Sequence, residues 1–556
     1  MHIESPKLPL LLTLAVVLAA AGCSRKSPPP APAHPEAAPA TATATGTGTG
    51  TAGSTAHLPP GIDWFAGDVD AAFAAAKSAG KPLFLFWGAE WCPPCAQIKS
   101  TIFNTREFQE RSRLFVPVYL DGDTPSAQRQ GERFGVMGYP TMILFRADGT
   151  EITRLPGGVD VARYATILDT ALADGRPVAE ILQAALGQGE VTPNDWRMLA
   201  YYSWGTDQGR VLPAAQATST FRRLSEACPT ELRPECARFY FEYLGSAARE
   251  AGDGRAPLDA KARKAEVVRL LPLLGSAEVA EANVDSLLYG AKDAVGLLSD
   301  PGSPERQQLI GAWRAALDGL ARGSEGFALS GPEQLNLVRA RVFLQRLEAP
   351  DAPLPESLLT EARATVTRVV AATTESYARH AAVYAAAGLY WEAGLAEDAN
   401  RMLTAELEKS KSPYYLMLDL ARLAKQAGRK DEAVAWLERA YAGAQGPATR
   451  FQWGYNYLVG LLEMTPEDTA RIERVGLEVL GELGESPDAF YQRTQMRLAQ
   501  LSTRLLEWGT GAEPAAVVER LRARTGTICA GLPAGDPGRA HCEAFLKPAT
   551  QATVGA

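Results

Sequence analysis

Trp91-Cys92-Pro93-Pro94-Cys95 is the stretch of this 556-residue chain whose residue types and spacing amount to a reaction centre. Two cysteines separated by two residues, at the junction of a strand pattern and a helix pattern, read as a redox dithiol. The first cysteine falls at a helix N-terminus, where unpaired N–H groups and the helix dipole stabilise a thiolate. A thiol pKa of about 8.5 drops to about 3.5–7.5 in such a setting, which makes an active nucleophile at neutral pH. One helical turn brings the second sulfur within disulfide reach. Cys92 is therefore read as the attacking thiol, and Cys95 as the one that resolves the mixed disulfide. Pro94 suits the first helical turn, where its missing N–H costs little. A structural disulfide and half of a zinc site are the other readings of such a pair. A zinc ribbon needs a second C-x-x-C, and the sequence contains none.

The segment around the dithiol alternates strand and helix signals. Val69–Ala79 is Ala-rich and reads as a helix, and Pro82–Trp87 is a short apolar run that suits a strand covered on both faces. A helix is expected over Pro94–Gln109, a strand over Leu114–Leu120 and a short helix over Ser126–Phe134. Thr141–Phe145 reads as a third strand, turned by Asp148-Gly149 into Glu151–Leu155, with a closing helix over Val159–Ala173. Gly138-Tyr139-Pro140-Thr141 opens the third strand, well downstream of the dithiol.

With these residues the segment 61–175 resembles the thioredoxin superfamily, and within it the C-terminal thioredoxin domain of the reductase DsbD and related small periplasmic thioredoxin-like proteins. The matching features are Trp64, Ala76-Lys77, Lys81-Pro82, Ala89-Glu90-Trp91-Cys92, Thr101-Ile102-Phe103, Tyr119-Leu120-Asp121 and Ala147-Asp148-Gly149. The resemblance implies an α/β thioredoxin fold, a central mixed sheet flanked by helices, and thiol–disulfide exchange in either direction, with reductase preferred. It implies that Pro140 is cis and packs against the dithiol. Trp91, Tyr139 and Pro140 would then meet an extended protein substrate, the Tyr139 main chain pairing with it. The family often has a buried acid six residues before the first cysteine, and here that position is Phe86. Glu90 can serve proton transfer in its place, or be a solvated loop carboxylate.

From Pro177 onward the 3.6-residue period takes over, and 176–556 reads as a large all-α domain. Gly394 and Gly428 are 34 residues apart, as are Ala399 and Ala433, and Leu403 and Leu437. That period resembles the tetratricopeptide repeat and implies a solenoid-like array of helical hairpins with a surface for proteins or peptides. A packed helical domain without a ligand is the alternative. Seven residues separate Cys228 from Cys236 and twelve separate Cys529 from Cys542, each span rich in Pro or Gly. Each pair can close a local disulfide, with free buried thiols as the other reading.

The N-terminus carries a signal-like pattern: Lys7 precedes a mostly apolar run of fourteen residues from Leu8 to Ala21. Gly22-Cys23 resembles a bacterial lipobox, which would make 1–22 a signal peptide and Cys23 the acylated N-terminus. Ordinary cleavage near Ala21 also fits. Residues 23–60, with their Pro-rich start and Thr-Ala and Gly-Thr tracts, read as a lipid-anchored disordered linker. The expected location is the periplasmic side of a bacterial membrane, reached through the lipid anchor, with Ser24 favouring the outer membrane. Of seven cysteines, one is then assigned to lipid, two to redox chemistry and four to structure.

Composition narrows the alternatives. Lys plus Arg is 56 against Asp plus Glu at 64, a net charge of −8, which argues against nucleic-acid binding. Only five His are present, none close to another in sequence, so no metal is expected, and dithiol exchange needs no separate cofactor. The reading is an exported thiol–disulfide oxidoreductase with protein thiol or disulfide substrates and an electron-transfer partner. The rival is a helical-repeat adaptor whose thioredoxin-like domain is mainly a docking module.

Overall fold

The computed structural model describes residues 58–547 apart from 125, 137, 158–160, 188, 208, 255–257 and 485–488. The expected signal peptide, Cys23 and the linker up to residue 57 lie outside the described residues.

The first part of the chain builds a sheet of order β2-β1-β3-β4. The order of elements is α1 (Val69–Ala79), β1 (Leu83–Gly88), α2 (Pro93–Ile98), α3 (Arg106–Arg111), β2 (Val116–Asp121), α4 (Ala127–Phe134), β3 (Thr141–Phe145), β4 (Glu151–Leu155) and α5 (Val161–Asp174). β1 runs parallel to β2 and antiparallel to β3, and β3 runs antiparallel to β4, so the sheet is mixed. Alternation explains why β1 is apolar throughout. Leu83, Leu85 and Trp87 pack on one face with Ala72 and Ala76 of α1 and Phe134 of α4. Phe84 and Phe86 pack on the other with Ile98, Phe103, Phe108 and Leu168.

The expected continuous helix from Pro94 to Gln109 is corrected. α2 starts at Pro93 and stops at Ile98, a π-helical turn covers Lys99–Phe103, and α3 begins only at Arg106. The hydroxyls of Ser100 and Thr101 both donate to the Gln97 carbonyl, at 2.9 and 2.8 Å, in competition with the helical ladder. Thr105 then accepts from Phe108 N at 3.3 Å and caps a new helix.

The rest of the described chain is all-helical, twenty helices from α6 (Val178–Leu186) to α25 (Pro537–Ala544). The 34-residue spacing marks real equivalence. Gly394 and Gly428 both have positive φ, 72° and 73°, in the turns that follow α17 (Ser376–Glu392) and α19 (Pro413–Gln426). Ala399, Ala433 and Leu403 are buried where paired helices touch, and Leu437 is partly buried.

The helical region packs directly on the sheet domain. α5 meets α7 (Pro193–Ala200), α2 meets α17, and α4 meets α23 (Gln492–Trp508). Arg154 on β4 is fully buried and donates to the Phe134 carbonyl at 2.5 Å and the Thr206 carbonyl at 2.6 Å. Its own carbonyl accepts from Ser203 N at 3.0 Å, so one strand residue joins both regions. No helix among the described residues is long and apolar enough to cross a membrane.

Two disulfides close local loops in the helical region. Cys228–Cys236 ties the end of α8 (Ala214–Ala227) to α9 (Arg233–Gly252), with Cα atoms 5.5 Å apart. Cys529–Cys542 ties α24 (Ala512–Ala530) to α25, with Cα atoms 5.6 Å apart. Peptide mapping without reductant should recover both linked pairs, and replacing either pair by Ser should destabilise the protein by about 2–3 kcal/mol. Free thiols at all four positions in protein purified from an oxidising compartment would contradict the pairing.

Candidate redox site

Cys92 is the N-cap of α2, with extended backbone, and Pro93 and Pro94 follow at the first helical positions. Two prolines there remove N–H groups that would have had no partner. Cys92 and Cys95 are joined as a disulfide, with Cα atoms 5.2 Å apart. The Cys92 sulfur also accepts from Cys95 N at 3.1 Å, the helix N-terminal donor that would stabilise a thiolate. The Tyr139–Pro140 peptide bond is cis. Phe86 is fully buried, and a Cβ added at Gly88 would lie 2.8 Å from its ring and 3.4 Å from the Cys95 sulfur. The end of β1 therefore passes against Cys95 with an aromatic ring, not an acid, beside it.

The residues read as substrate-binding are covered by the helical region. Trp91 is 6% exposed. Its Nε1 donates to Thr449 Oγ1 at 2.7 Å and, less closely, to Asp123 Oδ2 at 3.3 Å. Its ring stacks on Tyr415 at 5.8 Å and meets Trp453 edge-on at 5.0 Å. Tyr139 meets Trp91 edge-on at 5.7 Å, and the Arg493 guanidinium lies over both rings, 5.0 Å from Trp91 and 5.2 Å from Tyr139. Helices α17, α19, α21 (Pro447–Met464) and α23 supply this hood. Beneath it Cys92 is 2% exposed and Cys95 is fully buried.

Asp123 fastens the hood. Its carboxylate accepts from Thr449 N at 2.7 Å and from Thr449 Oγ1 at 2.6 Å. Thr449 is at the third position of α21, so a carboxylate from the loop after β2 caps a helix 326 residues away. The approach is close. Gly446 precedes α21 at φ +83, and a Cβ there would come 2.7 Å from the Asp123 Cβ.

Enclosure changes the charged groups. Burial, reinforced by Asp121, pushes the Asp123 carboxyl up to about 7, although Thr449 and Trp91 pull it down. Lys99, one turn beyond Cys95, is 1% exposed. Burial lowers its amine to about 8 against the pull of Asp121 and Glu90. Its ammonium lies 5.8 Å from the Tyr119 ring and 5.3 Å from that of Tyr377. His380 on α17 is lowered to about 4 by burial, so it is neutral at pH 7. Glu90 is exposed, on the wall of a cavity of about 360 Å³ with Ala96, Tyr377, His380 and Lys411. It acts electrostatically on Lys99. Among the described residues no group of three or more His, Cys, Asp or Glu is placed to hold a metal ion.

Of the residues that the sequence points to, Trp91, Cys92, Cys95 and Tyr139 come together, Tyr139 through the Trp91 ring, and Pro140 follows Tyr139 through a cis bond. Sequence reasoning missed Asp123, Lys99, Thr449, Tyr415, Trp453 and Arg493. Lys99 had a legible signal, being a lysine on the same helical face as Cys95, four residues on. The others come from distant helices and carry no local signature.

Residues 69–172 match the family described as a thioredoxin-like domain. This segment is a thioredoxin-like domain. Over 109 residues it is 36% identical to the thiol:disulfide interchange protein DsbD of Cronobacter sakazakii, covering 19% of each chain. DsbD 1 of Pseudomonas aeruginosa is 31% identical over 107 residues, 18% of each chain. Thioredoxin of Acidithiobacillus ferridurans is 29% identical over 94 residues, 17% of this chain and 82% of that protein. The chain thus spans about a fifth of the length of the DsbD relatives it matches. The thioredoxin-like domain carries a C-x-x-C disulfide and supports a thiol–disulfide oxidoreductase role.

The Asp123 environment has a pH consequence. The folded protein holds this proton more tightly than the unfolded chain does, so stability is fully present below pH 3.8, falls as pH rises towards about 7 and is level above that. Asp121, Arg493, Tyr139 and Tyr414 also face this carboxyl, and their charges do not reverse its direction. Asp123→Asn should remove this component. The thermal midpoint of the wild type should fall relative to that of the variant as pH rises across that window, because Asn stays neutral as the protonated carboxyl does. A difference independent of pH would contradict the assignment.

Proposed function

We propose that the protein is an exported thiol–disulfide oxidoreductase acting on protein substrates, and that its helical region controls which substrates reach the dithiol. The observation that carries this is the Cys92–Cys95 disulfide at the N-terminus of α2, next to a Trp91 ring that meets Tyr139, and under a hood made by distant helices. In the reductive direction the Cys92 thiolate attacks a substrate disulfide, forming a mixed disulfide and releasing one substrate thiolate, which takes a proton. Cys95 then attacks the Cys92 sulfur, releasing the second substrate thiol and leaving Cys92–Cys95 oxidised. An electron-transfer partner must return two electrons. Trp91, Tyr139 and Pro140 are the proposed substrate contacts, and Glu90, next to Lys99, is the proposed proton-transfer group.

Export, a lipid anchor at Cys23 and a place on the periplasmic side, with the outer membrane preferred, belong to the same proposal. Two local disulfides in the helical region support an oxidising compartment. The burial of Cys92 favours a second reading, an adaptor in which the thioredoxin-like domain serves to dock the helices.

Trapping variants separate the two. Cys95→Ser should leave Cys92 linked to its substrates, while Cys92→Ser should trap nothing. Diagonal electrophoresis of the exported fraction reads this directly. Equal trapping by both variants, or none by either, would favour the adaptor. A reduction potential near about −270 mV for the pair would support the reductase direction, and one near about −120 mV an oxidant.

A further inference from the structure

A cavity of about 630 Å³ opens against the redox motif, with Trp91, Pro93, Pro94 and Gln97 forming one wall. The opposite walls come from the helical region and carry four arginines, Arg339, Arg422, Arg493 and Arg497, against two carboxylates, Glu392 and Asp419. The carboxylates are already engaged: Arg339 pairs with Glu392 at 3.0 Å and Arg422 with Asp419 at 2.9 Å. Arg493 and Arg497 make no ion pair among the described residues. Arg493 faces the Trp91 and Tyr139 rings, and Arg497 donates to the neutral Gln500 at 2.8 Å. The Nε atoms of Arg497 and Arg339 are buried without a hydrogen-bond partner. Buried donors of this kind are costly unless something accepts from them. The apolar lining is unusual too. Four large hydrophobic side chains are exposed among the described residues, and two of them, Tyr289 and Tyr384, stand on these walls.

We infer that this cavity seats a short, extended, cysteine-bearing segment of a substrate protein, with acidic residues flanking the cysteine. The inference rests on the exchange chemistry proposed for Cys92 and Cys95, and specifies what that site accepts. The two unpaired arginines supply the charge preference, and the aromatic walls hold the aliphatic parts of the segment. The volume lies within the roughly 300–1,000 Å³ range of ligand pockets. That admits a few extended residues and excludes a folded surface, which the hood keeps away from Cys92. Pro93 and Pro94 lie in the wall, so a sulfur carried on the segment enters beside the dithiol.

Single-turnover exchange with the pre-reduced full chain tests this, since the dithiol itself supplies both electrons. Four oxidised probes are compared: the symmetrical disulfides of an acidic and of a basic cysteinyl tetrapeptide, glutathione disulfide and hydroxyethyl disulfide. The acidic peptide should react about tenfold faster than the basic one. Added salt should narrow that gap, and Arg497→Gln should shrink it at constant salt. Equal rates for the two peptides, while hydroxyethyl disulfide reacts, would overturn the inference and leave the exchange chemistry standing. Faster reaction with glutathione disulfide than with the acidic peptide would overturn it in favour of a free small thiol. No reaction with any probe would remove the exchange reading, and this inference with it.

Discussion

The hydrogen bonds between Asp123 and Thr449 decide what kind of site this is. A helix N-terminus presents N–H groups that need an acceptor, and α21 takes its acceptor from the loop after β2. The same threonine hydroxyl that donates to Asp123 accepts from Trp91, the residue directly before Cys92. A charge-assisted bond of this type is worth about 1.5–3 kcal/mol in general. Here burial outweighs that gain for the charged form, which is why the carboxyl is pushed up to about 7. One of the contacts that join the two regions thus titrates close to neutrality.

Placing Trp91 has consequences for the chemistry. Its ring stacks on Tyr415 and is edged by Trp453 and Tyr139, and those aromatic contacts keep solvent from the disulfide beneath. Electrostatic effects strengthen where water is excluded. The helix N-terminal donors at Cys92 therefore act in a drier setting than in an open site. The same enclosure restricts traffic: a substrate must enter through the cavity beside Pro93 and Pro94 or wait for the hood to open. Under the proposed exchange reaction, substrate selection would fall to the helical region and the sulfur chemistry to the thioredoxin-like domain.

Much of the sheet domain was legible because its signals are local. Thr141–Phe145 and Glu151–Leu155 appear where the apolar run and the Asp148-Gly149 turn place them, and α1 spans the Ala-rich stretch. The dithiol, Pro140 and the two local cysteine pairs were equally plain. The continuous helix after Cys95 failed because Ser100, Thr101 and Thr105 offer side-chain hydrogen bonds that compete with the ladder. The repeat at Gly394 and Gly428 was visible, since each turn needs a positive φ that glycine adopts freely. The hood was not. It joins residues 326 and 358 positions apart, and no spacing in the chain marks Thr449 as the partner of Asp123 and Trp91.

Cys92 lies beneath a hood made by the helical region, 2% exposed. Alkylation of the reduced full chain with thiol reagents of graded size tests it most directly, with site assignment by mass spectrometry. A small reagent such as iodoacetamide should modify Cys92 first, while a bulky polymer-linked maleimide should be slowed by orders of magnitude and accelerate when mild denaturant loosens the hood. Equal relative rates for both reagents in native and unfolded protein would contradict the account.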